Sequence, residues 1–268
     1  MNTKELAKNI RAKALQMVSK AKASHIGGAL SMADILAVLY GKIMRFNVKD
    51  SKCAFRDRFV LSKGHNGVAL YATLSELKII GNEVLETYYQ NGSKLSGHIS
   101  HKDVPGVEFS TGSLGQGINF AVGLALAAKM DNKKHNVYVI VGDGECNEGS
   151  IWEAALFANH FALDNLTVII DHNKLQSINT CTKTLDPICL KTKWQAFGWR
   201  TIDIDGHNHE QLEKAFLEKT LSNKPKCIVA HTIKGKGVSF MEHNNLWHYR
   251  DPQGEFLETA IAEVTNNA

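Results

Sequence analysis

The segment VYVIVGDGECNEGSIWEAA (137–155) runs five apolar residues into Gly142, Asp143 and Gly144, then into a helical pattern. An aspartate between two glycines at the mouth of a buried strand has three readings. Asp-Gly is a strong hairpin turn, but a hairpin needs a second strand directly after it, and NEGSIWEAALFANHF has helical periodicity. Strand, glycine and helix in that order also describe a phosphate loop, where a helix N-terminus favours anions. The third reading adds a metal. Thirty residues on, Asn173 in IIDHNKL leaves the end of the next apolar run, a distance that one βαβ unit fills. Ligands of open parallel sheets sit beyond the carboxyl ends of the strands. Asp143 and Asn173 therefore place two oxygen side chains at one sheet edge. A hard divalent cation bridging a diphosphate takes such oxygens, completed by a backbone carbonyl and water, and the flanking glycines let the backbone approach the phosphate closely.

Positioning these groups requires a particular frame. Residues 3–22 read as an amphipathic helix with Leu6, Ile10, Ala14, Met17 and Val18 on one face. Ser31 is placed to cap a second helix, MADILAVLYGKIM (32–44). RFVLSKGHN (58–66) is a short strand running into a loop, and GQGINFAVGLALAAKM (115–130) is a helix rich in small residues, suited to close packing. Apolar runs at 136–141, 166–171, 199–205 and 226–232 read as strands, with helices expected over 149–162 and 208–222. Continuous apolar strands alternating with helices indicate an α/β fold, a parallel sheet with helices on both faces. No linker or repeat divides the chain, and residues 1–268 read as one domain.

The totals narrow the function classes. With 31 basic and 27 acidic residues interspersed, the net charge of +4 includes no basic run of the kind that binds nucleic acid. Five cysteines, odd in number and without a C-x-x-C pair, suit a reducing compartment. The charged N-terminus has no secretory apolar core, and no window reaches the roughly 18 apolar residues of a membrane span. The expectation is a soluble cytoplasmic protein.

GDGECNEG followed by DHNKLQ resembles the thiamine-diphosphate signature, Gly-Asp-Gly and then an Asn about thirty residues on. ASHIGG, DRFVLSKGHNGVALYATL, LSGHISHKDVPGVEFSTGSLGQGINFAVGLALA and HTIKGKGVSFMEHNNLWH resemble the N-terminal, diphosphate-binding domain of transketolases, a likeness covering nearly the whole chain. The resemblance implies the thiamine-diphosphate-binding fold, with Asp143, Asn173 and the Leu175 carbonyl as ligands of Mg²⁺ (Ca²⁺ or Mn²⁺ as alternatives). It implies that His65, Gly144 and His248 lie at the diphosphate and that Gly112, Ser113 and Leu114 contact the aminopyrimidine. His25, His98 and His248 match histidines that line the channel to the thiazolium and handle sugar hydroxyls. Glu148 matches a glutamate at the subunit interface that communicates between sites. Two departures are visible: ASHIGG stands where the family has Gly-His-Pro, and Tyr249 follows His248 where the family has Gly.

His101, His135, His207, His209 and His243 lack such a context and read as surface or core residues, Cys146 as no nucleophile, and Asp171 as a structural strand end. In transketolases the glutamate that activates the cofactor comes from a second, pyrimidine-binding domain, expected just where this sequence stops. The resemblance thus implies the N-terminal subunit of a split transketolase, its partner carrying that domain in an α2β2 assembly that acts on sugar phosphates. Alternatives are the α-subunit of a 2-oxo acid dehydrogenase, a deoxyxylulose-phosphate-type synthase, and a non-catalytic cofactor-binding module.

Overall fold

A computed structural model describes residues 1–46, 50, 53–219 and 223–266. Five strands, β1 (Arg58–Leu61), β2 (Val137–Gly142), β3 (Leu166–His172), β4 (Arg200–Asp205) and β5 (Lys226–His231), form one parallel sheet in the order β1-β2-β3-β5-β4. Successive residues of a strand point to opposite faces, and both faces here are apolar. Leu61, Ile140, Ile169 and Ile228 enter one core, whereas Val60, Val139, Val168 and Val229 enter the other. A sheet buried on both sides needs helices on both sides, and the connections supply them.

The first core is covered by α1 (Thr3–Ala21), α2 (Ile26–Ser31), α3 (Ala33–Val38), α4 (Gly67–Glu76), α10 (His209–Leu217) and α11 (Glu255–Asn266). The second is covered by α6 (Gly117–Met130), α7 (Gly149–His160) and α9 (Leu190–Ala196). Short helices α5 (Asn82–Leu85) and α8 (Cys181–Thr184) lie in the connections. The chain steps from β1 to β2 to β3, passes over the place of β5 to reach β4, and returns through α10 on the opposite face. That reversal beside β3 is the topological switch point where α/β sheets open a crevice. Among the described residues no helix is long and apolar enough to cross a membrane.

The sequence expectation of one helix over 32–44 capped by Ser31 is corrected. The helical path starts at Ile26, breaks at Met32 and finishes in a π turn over Leu39–Ile43. Ser31 closes α2 instead of capping a helix: its hydroxyl donates to the Asp171 carboxylate at 2.6 Å, 3.0 Å from the Gly28 carbonyl. Two glycines make the early start possible, since a Cβ on Gly28 would meet Asn66 Oδ1 at 2.7 Å. The strand after Trp199 and helices α6 and α7 keep their expected places within two residues. Helix α10 has Asn208 as its N-cap and ends at Leu217; the rest of the expected span to 222 includes positions 220–222, outside the described residues.

The start of α6 is pressed against β1. A Cβ on Gly117 would stand 2.6 Å from Ser62 Cα, whereas Gly123, one and a half turns on, faces open space. Gly117→Ala is expected to cost about 1–3 kcal/mol in urea unfolding through overpacking. Gly123→Ala should gain about 0.5–1 kcal/mol through helix propensity. Equal effects at the two positions would show that close packing of this helix on the strand end is not what fixes Gly117.

Candidate functional site

Four neighbouring parallel strands end on the same edge, and the segment that follows each carries a polar group into one cavity. Lys63 comes after β1, Asp143 after β2, Asn173 after β3 and Lys234 after β5, around a space of about 500 Å³. Of the residues singled out from sequence, His25, His65, His98, Gly112, Leu114, Asp143, Gly144, Glu148, Asn173, Leu175 and His248 all line it. Ser113 is exposed and does not.

The carboxylate of Asp171, fully buried, ties these strand ends together. It pairs with Lys63 and accepts hydrogen bonds from Ser31 (2.6 Å), Thr232 and the Asn173 side-chain amide (3.2 Å). Burial alone would raise its pKa, but the Lys63 ammonium and the bonds from Ser31 and Thr232 outweigh that and hold it down. Because Asn173 spends its N–H on Asp171, its Oδ1 is turned the other way, where the Leu175 N–H reaches it at 3.1 Å. Asp143 is fixed as firmly: Oδ1 accepts from Gly144 N at 2.8 Å, and Oδ2 accepts from Lys174 N at 2.6 Å and lies 3.2 Å from His172 Nδ1. Among the described residues no group of three His, Cys, Asp or Glu side chains could hold a metal. A cation here would depend on the Asp143 carboxylate with the Asn173 amide and Leu175 carbonyl oxygens, an all-oxygen set of the kind hard cations take.

Facing this edge, four histidines gather from distant parts of the chain. His25 lies 5.1 Å from His65, 5.9 Å from His98 and 4.8 Å from His248 between ring centroids. His25 has left-handed backbone (φ 72°) just ahead of α2, a conformation held by its N–H on the His248 carbonyl at 2.7 Å and the Asn66 amide on its own carbonyl at 2.9 Å. The side chains also form a chain: Lys234 Nζ to His248 Nδ1 at 3.0 Å, and His248 Nε2 to His25 Nδ1 at 3.2 Å. An ammonium only donates, so His248 Nδ1 accepts, His248 Nε2 carries the proton, and His25 Nδ1 accepts in turn. The remaining proton sits on His25 Nε2. Burial, aided by Lys234 and His25, pushes His248 down to about 3, and burial, aided by His98 and Lys234, pushes His25 down to about 4. Burial also holds His65 well below its ordinary value. These rings are neutral at pH 7.

Several contributors escape a reading of the sequence. Lys63 and Lys234 are buried cations at the cavity floor, and burial brings Lys234 down to about 8. Glu145, buried beside Asp143, accepts from Ser62 Oγ (2.5 Å), Gly115 N (2.8 Å) and Gly142 N (3.0 Å), fastening the loop of Gly112–Leu114 to the end of β2. Burial raises its pKa, and those three hydrogen bonds oppose the rise. Tyr249, already visible in the sequence as a departure after His248, stands at the rim, 4.7 Å from the His248 ring and 5.9 Å from that of His25. Lysines inside ordinary-looking loops give no periodic signal, so only the TIKGKG stretch marks Lys234. The histidines without a loop context lie away from this cavity. His207 and His209 bond the buried Asp34, itself paired with Arg11, His101 bonds Ser110, and His135 is buried. His243 lines a separate cavity behind residues 172–188.

Comparison with known proteins bears on the family and the fold. The family model described as transketolase, thiamine diphosphate binding domain, matches residues 2–250. An apulose-4-phosphate transketolase subunit from Phocaeicola vulgatus is 44% identical over 95% of this chain and 91% of its own length. The 6-deoxy-6-sulfo-D-fructose transketolase subunit SqwG of a Clostridium species is 42% identical over 95% of this chain and 93% of its own. The structure of transketolase from Leishmania mexicana superposes with a TM-score of 0.92 at 34% identity, covering 99% of this chain but only 41% of that longer one. With the family model spanning most of its length and such relatives along nearly all of it, the chain belongs to the transketolase family, as that family's thiamine-diphosphate-binding domain.

Proposed function

We propose that this chain is the cofactor-anchoring subunit of a two-chain transketolase that moves a two-carbon ketol unit from a ketose to an aldose. The observation that carries the reading is the delivery of Asp143 and Asn173 from adjacent strand ends into one cavity with His25, His65, His98 and His248. Relatives of nearly this length are themselves named as transketolase subunits, which supports a second chain, carrying the pyrimidine-binding domain and the activating glutamate, in an α2β2 assembly. Residues 1–268 would act as one diphosphate-binding domain. Free cysteines throughout and the absence of a membrane-spanning helix among the described residues support a cytoplasmic place.

The residues present fit the cofactor and its metal. Gly144 leaves backbone where a Cβ would strike Gln176 at 2.9 Å, and Asn173 presents oxygen, not nitrogen, away from Asp171. Asp143, Asn173 and the Leu175 carbonyl would hold Mg²⁺; Gly144, His65 and His248 would meet the diphosphate; Gly112 and Leu114, which line the cavity, would support the aminopyrimidine. Thiamine diphosphate, when bound, supplies a nucleophilic carbon and the electron sink for the broken C–C bond. The protein's part is to orient and to hold protons. His25, neutral with its proton on Nε2, donates from there to a sugar hydroxyl, while His248, itself fixed by Lys234, fixes that tautomer. His98 faces the same hydroxyls across the cavity, and Glu148 stands at the contact with a neighbouring protomer.

Three measurements test this reading. Ketol transfer should appear only when this chain is combined with the polypeptide that copurifies with it; full turnover by the chain alone would overturn the two-chain assignment. Asp143→Ala should weaken Mg²⁺-dependent binding of thiamine diphosphate by about a hundredfold or more, and an unchanged titration would remove Asp143 from the metal site. The histidines give a pH signature. Their folded pKa values lie below the unfolded value of about 6.5, so between about 6.5 and 4 the unfolded chain takes protons that the fold refuses, and stability falls as pH drops through that window. His25→Asn should flatten that slope in urea unfolding, and in NMR the His25 ring should show no titration between pH 8 and 5. A ring that titrates near 6.5 would refute the neutral relay.

A further inference from the structure

Two buried side-chain atoms of cavity-lining residues have no hydrogen-bond partner among the described residues, the acceptor Asn66 Oδ1 and one donor. Gln176 Nε2 is buried and has no hydrogen-bond partner among the described residues. The Cys181 thiol is near enough for this amide to lower its pKa in the manner of a hydrogen bond, against the larger rise from burial, but Nε2 meets the hydrogen-bond geometry with no partner. A buried donor left unmade is costly, so a native site that keeps one holds it for something that arrives later.

The backbone around Gln176 is unusually constrained for a loop. Its N–H donates to the Asn179 carbonyl at 2.9 Å, beside the bridge that pairs Leu175 with Thr180, and its carbonyl accepts from Lys234 Nζ at 2.9 Å. With both backbone groups held, the side chain lies over Gly144: a Cβ built there would stand 2.9 Å from Gln176 Cγ, 3.0 Å from Cδ and 3.4 Å from Nε2. Gly144 opens the turn that follows Asp143, and both residues line the cavity together with the Lys234 ammonium. An unpaired N–H donor, a bare glycine and a buried cation around one space select an anion with several acceptor oxygens.

The geometry points to Gln176 as a diphosphate-binding residue, its side-chain amide donating to a phosphate oxygen of the cofactor held above Gly144. The inference rests on the proposed cofactor site and adds to it a direct contact from a side chain. It also accounts for the stiffness of the turn. A flexible glutamine would lose rotamer freedom on binding, whereas this one is placed in advance by Asn179 and Lys234.

The test is calorimetric titration of the full chain with its copurified partner, in Mg²⁺, using two probes, thiamine diphosphate and inorganic pyrophosphate. Gln176→Ala should weaken both by about tenfold, the loss of one hydrogen bond to a charged group. Gln176→Glu should weaken both further, because a carboxylate would face the phosphate. Equal losses for the two probes place the contact on the diphosphate. A loss confined to thiamine diphosphate would overturn the assignment by moving the contact to the rings, and unchanged binding of both in Gln176→Ala would overturn it outright. Thermal unfolding without ligand should match the wild type for Gln176→Ala, since no protein partner is lost; a marked drop would show that the amide serves the fold and would also overturn the inference. If the wild-type complex binds neither probe, the cofactor site itself fails, a result distinguishable from failure of Gln176 alone.

Discussion

The structure depends on one buried carboxylate. Asp171 sits at the end of the central strand, fully enclosed, and draws Lys63 from the end of β1, Ser31 from α2, Thr232 from the end of β5 and Asn173 from its own loop. Removing one member of such a buried pair typically costs about 3–5 kcal/mol, because the other charge is left uncompensated. The interaction therefore fixes a register as much as it adds stability. Three chain segments distant in sequence, and the loop that follows Asp171 itself, must meet within hydrogen-bond reach of two oxygen atoms. When they do, Asn173 can turn only one way, and the cavity at the switch point acquires its oxygen-lined edge.

That constraint has an electrostatic consequence. With Asp171 saturated, its negative charge is spent on Lys63, and the Lys234 ammonium stands in the same cavity with carbonyl and imidazole acceptors. Lys63 is among the causes that lower Lys234 and His248. With Lys63 paired to Asp171, the Lys234 ammonium is the cation that favours an anionic occupant and disfavours protonated imidazoles. Burial first, and the Lys234 ammonium after it, keep His25 and His248 neutral, with each tautomer dictated by the lysine at the end of the chain. Anion binding and proton placement are one device here.

Much of this is legible in the sequence because it follows from short-range rules. Apolar runs of five or six residues between helical segments announce the parallel sheet, and Asp143 and Asn173 can be placed at neighbouring strand ends from their spacing alone. Boundaries fail where tertiary contacts override local preference. Ser31 has every property of an N-cap, yet the carboxylate of Asp171, 140 residues away, takes its hydroxyl and lets the helix begin at Ile26. The four histidines can be connected only through a family likeness, because nothing within ASHIGG, KGHN, SGHIS or LWHY indicates that these loops meet.

What the sequence conceals most completely is the supporting layer. Glu145 looks like one more acid in a polar loop, but its two oxygens hold backbone N–H groups from two segments and the hydroxyl of a third. Lys63 and Lys234 look like surface lysines, and each is almost wholly buried. A charge inside a protein must be paired or hydrogen-bonded, and its partners are set by topology, not by neighbours in sequence. The residues that touch a ligand can therefore be suspected from a motif, while those that aim them become visible only when the strand ends are brought together. In this chain the two sets are joined at Asp171, whose carboxylate both pairs Lys63 at the floor of the cavity and decides which atom of Asn173 faces it.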